Sequence, residues 1–227
     1  MDDVDGAGGG VVIDLRLGDC LETMRGMADK SVDLVLTDPP YGIAINRNSN
    51  GFGVAINKSR KATNLDWDDT IPTKEYFDEI MRVSKNQIVF GANYFWECFY
   101  ASQCYIIWDK RGDLPDVPFA PTEFAWTSFT KKMSKRYVVR NHGFIRDSKD
   151  ERTTHPTQKP TELMSAIIRD FTKDGDVILD PFLGSGTTLL ACIKENRNGV
   201  GIEKNLEYFA IAERRIAEAQ AQMVMPL

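Results

Sequence analysis

Val177-Ile178-Leu179-Asp180-Pro181-Phe182-Leu183-Gly184-Ser185-Gly186-Thr187-Thr188 reads as a buried strand, a glycine turn and the opening of a helix. The helix is expected from Gly186 to Asn196, and a second strand, Gly199 to Glu203, closes a strand-helix-strand unit. Gly184 and Gly186 let the backbone pass close to a ligand with no side chain between them. Thr187 and Thr188 begin a helix whose free N–H groups favour an anionic or polar partner. Glu203 follows Asp180 by 23 residues, the spacing at which an acid takes both ribose hydroxyls of an adenosyl ligand. The third glycine of the dinucleotide fingerprint is missing, and there is no G-K-[ST] phosphate loop, so NAD, FAD and ATP fit poorly. Asp180 at the turn would repel a pyrophosphate and welcome the ammonium of a methionine moiety, which favours S-adenosylmethionine.

The rest of the chain repeats the alternation. Strands are expected at Val11 to Leu17, Val32 to Thr37, Gln87 to Gly91, Cys104 to Trp108 and Glu123 to Phe129. Helices are expected at Cys20 to Ala28, Lys74 to Lys85, Tyr94 to Ala101, Pro160 to Lys173 and Asn205 to Gln222. In the second of these, Tyr76, Phe77, Ile80, Met81 and Ser84 form one stripe, and the aromatics Tyr94, Phe95, Trp96, Phe99 and Tyr100 read as core. Strands alternating with helices predict an α/β fold: a doubly wound, mainly parallel sheet with helices on both faces. Met1 to Gly10 is acidic and glycine-rich and reads as a disordered tail, while Ala44 to Thr70 is a long aperiodic loop of the functional or disordered kind.

Composition bounds the function. At 227 residues the chain is expected to be one domain, or one domain with an insertion, large enough to bury a full core without staples. The four cysteines form no C-x-x-C pair and the two histidines, His142 and His155, have no ligand-like neighbours, so no metal site is expected. With no secretory leader and no apolar run near twenty residues, a cytoplasmic protein without membrane contact is expected. The net charge of -5 argues against non-specific coating of nucleic acid. Yet Thr130 to Arg152 holds eight basic residues against three acids. Lys131, Lys132, Lys135, Arg136 and Arg140 in that segment, with Lys58, Arg60 and Lys61 in the long loop, are therefore candidate phosphate contacts.

Asp38-Pro39-Pro40-Tyr41 follows the apolar run Val32 to Thr37 directly, so a carboxylate, two rigid rings and an aromatic side chain emerge at the end of a strand. Together with Leu17-Gly18-Asp19-Cys20-Leu21-Glu22, Trp67-Asp68, Val89-Phe90-Gly91-Ala92-Asn93, Ile107-Trp108-Asp109-Lys110, His155-Pro156-Thr157-Gln158-Lys159-Pro160 and Asp180 to Thr188, it resembles the beta-class DNA amino-methyltransferases. These enzymes methylate the exocyclic amine of adenine (N6) or cytosine (N4), and many serve restriction-modification. In that class the catalytic half precedes the methyl-donor half along the chain, as it does here.

The resemblance implies a Rossmann-like methyltransferase domain over residues 11–227, with a catalytic half at 11–129, a basic DNA-contacting segment at 130–154 and a cofactor half at 155–227. It makes Asp38 and the Pro39 carbonyl, braced by Pro40, the acceptors for the target amine, and Tyr41 a stacking partner for an extruded base. Asp180, Pro181, Phe182, Gly184, Gly186, Thr187 and Thr188 would line the S-adenosylmethionine site. Glu203 would hold the ribose, Asp19 and Cys20 the adenine edge, and Lys159 would sit near the cofactor carboxylate. Double-stranded DNA is the implied partner, and a homodimer is expected because dimers are common in the class.

Aspartate at the first clamp position leans towards adenine N6. Cytosine N4, RNA or a protein glutamine remain alternative acceptors, because a clamp for a planar amine does not name its ring. A non-catalytic DNA-binding module is a further alternative.

Overall fold

The computed structural model describes residues 10–42, 71–113, 120–142, 145–146 and 158–224. Lys58, Arg60, Lys61, Trp67, Asp68, His155 and the N-terminal tail lie outside them.

Eight strands form one sheet: β1 (Ile13–Leu17), β2 (Val32–Thr37), β3 (Ser84–Phe90), β4 (Tyr105–Asp109), β5 (Thr122–Thr127), β6 (Lys135–Val138), β9 (Val177–Asp180) and β10 (Asn198–Glu203). Their order is β1-β10-β9-β2-β3-β5-β4-β6, and β7 (Asn141–His142) with β8 (Ile145–Arg146) makes a separate two-stranded hairpin. Five of the seven neighbouring pairs in the large sheet are parallel; only β5 runs against its neighbours. The expectation of a mainly parallel α/β sheet holds.

Helices cover both faces, as near-continuous apolar strands require. Leu34, Leu36, Ile88, Phe90 and Ile178 pack against α3 (Thr161–Phe171) and α4 (Thr187–Lys194). Val35, Val89, Leu179 and Ile202 face the opposite layer with α1 (Cys20–Arg25) and α2 (Lys74–Val83). The last helix, α5 (Leu206–Val224), closes over α4 through Ala212 and Ile216. Phe77, Ile80 and Val83 fix α2 on the sheet, each burial worth about 1.5–3 kcal/mol. No helix among the described residues is long and apolar enough to cross a membrane.

Three expectations are corrected. α2 ends at Val83, and Ser84 begins β3 with extended backbone; its Oγ donates to the Ile80 carbonyl at 2.6 Å, closing the helix without a loop. The aromatic helix is instead two 3-10 turns, Ala92–Tyr94 and Trp96–Cys98, started by Gly91 in the left-handed region at φ 64°. Within it Phe95 is buried and packs on Phe77, but Tyr94, Trp96 and Tyr100 are exposed at 45%, 71% and 55%, so the cluster is only partly core. Finally, α1 stops at Arg25, capped by Gly26, short of Ala28.

Candidate active site

In an open α/β sheet the ligand crevice forms beyond the carboxyl ends of strands, where the strand order reverses. Here that point lies between β9 and β2, which are paired in parallel through Leu34–Ile178 and Val35–Leu179. The pairing carries Asp180, at the end of β9, alongside Asp38, one residue past β2. A cavity of about 300 Å³ opens there. Every predicted catalytic and cofactor residue except Gly186 lines it, so two stretches more than a hundred residues apart in sequence share one pocket.

At the cofactor end the glycine turn is held from within. Asp180 Oδ1 accepts from Thr37 Oγ1 at 2.7 Å and from the Phe182 N–H at 3.1 Å, and its Oδ2 accepts from Thr188 Oγ1 at 2.5 Å. Burial pushes its pKa up to about 6 despite these donors, and the nearby Asp38 charge adds to the rise. Glu203 Oε2 accepts from the Gly184 N–H at 2.8 Å and its Oε1 from the Asn205 N–H at 2.7 Å; burial raises this carboxyl too. Gly184 and Gly186 sit at φ 58° and 90°. A Cβ on Gly186 would stand 3.0 Å from Ala212 Cβ, so the turn packs this closely on α5 only with glycine there. Arg215 on α5 donates from Nη1 to the Ser185 carbonyl at 2.6 Å and fixes the turn from behind.

Asp19 caps α1, accepting from the Leu21 N–H at 2.8 Å, and its other oxygen accepts from Tyr76 Oη at 3.2 Å. The Tyr76 and Phe182 rings lie 6.0 Å apart, both on the cavity wall. Cys20 is buried with its thiol pushed up to about 12, mainly by burial, so it serves packing and not nucleophilic chemistry. Thr187 Oγ1 is buried and has no hydrogen-bond partner among the described residues, although it borders the cavity at the start of α4. A buried hydroxyl left unmatched at a helix N-terminus, beside acidic acceptors, fits a polar nucleoside-bearing ligand with a carboxylate.

At the other end stands the clamp. Tyr41 Oη donates to Asp38 Oδ1, and the Tyr41 ring stacks on Tyr94 with centroids 4.8 Å apart and planes 17° from parallel. Lys159 was expected near the cofactor carboxylate. It lines the cavity, and its ammonium pairs with Asp38 Oδ2 and lies 3.0 Å from Glu123 Oε2. Burial raises the Asp38 pKa, with the Lys159 charge opposing and the Glu123 charge assisting. Burial works to lower the Lys159 pKa, but the two carboxylates outweigh it and hold the ammonium charged. Burial alone would raise Glu123; the Lys159 and Lys110 ammoniums take it down to about 2. The sequence reading missed Glu123, whose place at the start of a strand gave no sign that it faces the clamp, and missed Tyr76 as cavity wall and Tyr94 as the brace behind Tyr41.

Strand direction divides the basic segment. β5 runs away from the cavity edge, so Lys131, Lys132 and Lys135 lie at the opposite ends of the strands. There Lys132 Nζ donates to the Asp170 carbonyl at 2.5 Å, and Lys135 pairs with the Asp170 carboxylate at 2.7 Å. β6 then returns towards the cavity edge: Arg136 pairs with Asp109 at 2.5 Å, and exposed Arg140 follows the strand's end. The expected row of phosphate contacts is thus split between two ends of the molecule.

A nucleoside-type pocket beside an acidic, aromatic clamp on a doubly wound sheet defines a group-transfer enzyme of the α/β class. The DNA methylase family model (N6_N4_Mtase) matches residues 107–214, a little under half of the chain. The chain is 26% identical to type II methyltransferase M.HinfI of Haemophilus influenzae, over 88% of this chain and 67% of that one. It is 28% identical to the DNA adenine methyltransferase YhdJ of Escherichia coli, over 88% and 81%. The solved complex of M1.HpyAVI with SAM superposes with a TM-score of 0.58 at 26% identity, over 90% of this chain and all of that one.

Proposed function

We propose that the protein transfers the methyl group of S-adenosylmethionine to the N6 amine of an adenine turned out of duplex DNA. The observation that carries the reading is the convergence of Asp38 and Asp180 at the β9–β2 junction, with clamp and glycine turn opening on one cavity.

An exocyclic amine is a weak nucleophile because its lone pair is delocalised into the ring. Asp38 and the Pro39 carbonyl supply two acceptors for its N–H groups. Holding both hydrogens localises the lone pair on nitrogen, and the Asp38 charge stabilises the positive charge that grows there. Asp38, raised in pKa by burial, is suited to take the amine proton and pass it to solvent. Tyr41, held by Asp38 and backed by Tyr94, offers a ring against which an extruded base regains stacking. Glu203, Asp19, Thr187 and the glycine turn would hold S-adenosylmethionine, whose sulfonium supplies an electrophilic methyl group. No covalent enzyme intermediate is required.

Adenine is favoured over cytosine by the aspartate at the first clamp position and by the likeness to YhdJ, a DNA adenine methyltransferase. Incubation with labelled S-adenosylmethionine and mixed-sequence duplex, followed by digestion to nucleosides, tests the reading. Label in N6-methyladenine is expected; label only in N4-methylcytosine would replace the base, and none in DNA would end the proposal.

A further inference from the structure

Asp38 belongs to a chain of four alternating charges. Lys110 Nζ pairs with Glu123 Oε1, Glu123 Oε2 lies 3.0 Å from Lys159 Nζ, and Lys159 pairs with Asp38 Oδ2. The groups come from four separate places in the fold: the ends of β4 and β2, the start of β5, and the segment before α3. Lys159 is the most enclosed, its side chain 5% exposed and its ammonium 5.1 Å from the centre of the Phe90 ring. A lysine so deeply buried stays charged only because carboxylates surround it.

That ammonium poses a problem for the chemistry. Methyl transfer to an amine places positive charge on the accepting nitrogen, and a cation against Asp38 weakens the one anion that stabilises it. Lys159 beside Asp38 alone would make the clamp neutral. Glu123 engages that ammonium from its other side, so the Lys159 charge is shared between two carboxylates and not met by Asp38 alone, while Lys110 pairs with the second oxygen of Glu123.

We propose that Glu123 is a positioning residue of the clamp, holding Lys159 in place and offsetting its charge so that the ammonium does not cancel the Asp38 charge at the target amine. The catalytic consequence rests on the methyl-transfer reading above; the charge coupling belongs to the chain without any ligand. Other groups that face Asp38 are the Tyr41 hydroxyl, on Oδ1, and Asp180, across the β9–β2 junction. Both stay constant across the variants below.

The signs are opposite for the two partners. Glu123→Gln removes a like charge, so Asp38 ionises more readily and any acid limb that depends on it moves to lower pH. Lys159→Met removes the opposite charge, so that limb moves to higher pH. A role confined to packing would move neither in a charge-dependent direction.

Two readouts separate the inference from the function it rests on. The first is the Asp38 carboxyl resonance in protein labelled with ¹³C-aspartate and free of cofactor, assigned by its loss in Asp38→Asn. Its midpoint is expected to fall by about one pH unit in E123Q and to rise by about one unit or more in K159M, with the E123Q/K159M double variant below K159M. The second is the single-turnover methylation rate against pH, whose acid limb is expected to move in the same directions. At neutral pH the E123Q rate is expected to fall about tenfold, and the double variant to recover most of that loss. Should E123Q not fold, K159M against the double variant reads the same Glu123 charge. Midpoints that move together, or not at all, would overturn the inference. A wild-type chain that methylates no DNA would end the transfer reading and leave the resonance shifts to decide the coupling.

Discussion

The Tyr41 ring occupies the space a side chain at Gly91 would need: a Cβ built on Gly91 falls 2.0 Å from Tyr41 Cε1. Gly91 also stands in the left-handed region, its N–H donates to the Phe124 carbonyl at 2.9 Å, and its carbonyl accepts from the Tyr94 N–H at 2.8 Å. One residue therefore seats both aromatic rings of the clamp. Gly91→Ala is expected to cost about 1–2 kcal/mol for the backbone alone and to displace Tyr41. Methyl transfer should drop at least about tenfold while calorimetric S-adenosylmethionine affinity changes little. Retained transfer would mean that the Tyr41 position is not needed.

Asp38→Ala removes the acceptor for the target amine and the partner of Tyr41 Oη, yet Lys159 keeps Glu123 and the glycine turn keeps its own bonds. Transfer is expected to be lost, by about a hundredfold or more, with S-adenosylmethionine binding within about threefold of wild type. Measuring the two on the same preparation checks this. Equal loss of both would make Asp38 a structural residue.

Much of this architecture could be read from local pattern. Val32 to Thr37 and Val177 to Asp180 are apolar runs cut off by Asp-Pro, and both strands end where that reading puts them. The pocket was legible for the same reason, since parallel strands with acids at their carboxyl ends must gather those acids on one edge. What was illegible depends on strand direction and on distance in sequence. Glu123 and Lys159 meet across 35 intervening residues through an antiparallel strand that nothing local announces. The Tyr94 to Ala101 stretch has helical composition, but Gly91 starts it in the left-handed region and the exposed Tyr94 and Trp96 lack a surface to bury, so two short turns form.

Strand direction also yields a prediction about DNA. Arg140 follows β6 at the cavity edge, whereas Lys131 lies in the connection at the far ends of the strands. For duplex entering the cavity, Arg140→Glu should weaken binding several-fold at low salt and reduce the slope of log affinity against log salt by about one. Lys131→Glu should leave that slope nearly unchanged. Fluorescence-anisotropy titrations over a salt series separate the two; equal effects would mean that DNA wraps both ends.

Asp180 sets a pH dependence with a definite sign. Its ordinary value is 3.8, and burial raises it to about 6 in the folded chain, against the pull of Thr37, Thr188 and the Phe182 N–H. A carboxyl whose folded pKa exceeds its unfolded one binds protons more tightly when folded. Its contribution is therefore complete below about pH 4 and is lost as pH rises to about 6, by about 3 kcal/mol. Asp38 and Glu203 are raised in the same direction, so the useful quantity is a difference between variants. Asp180→Asn keeps an oxygen for the Phe182 N–H and requires only that one threonine hydroxyl reverse, while removing the charge. Urea unfolding of both proteins between pH 4 and 7 should show the variant gaining on wild type as pH rises, with the gap flattening above about pH 6. A gap that is constant with pH would place Asp180 in the ionised state throughout, with its three donors outweighing burial.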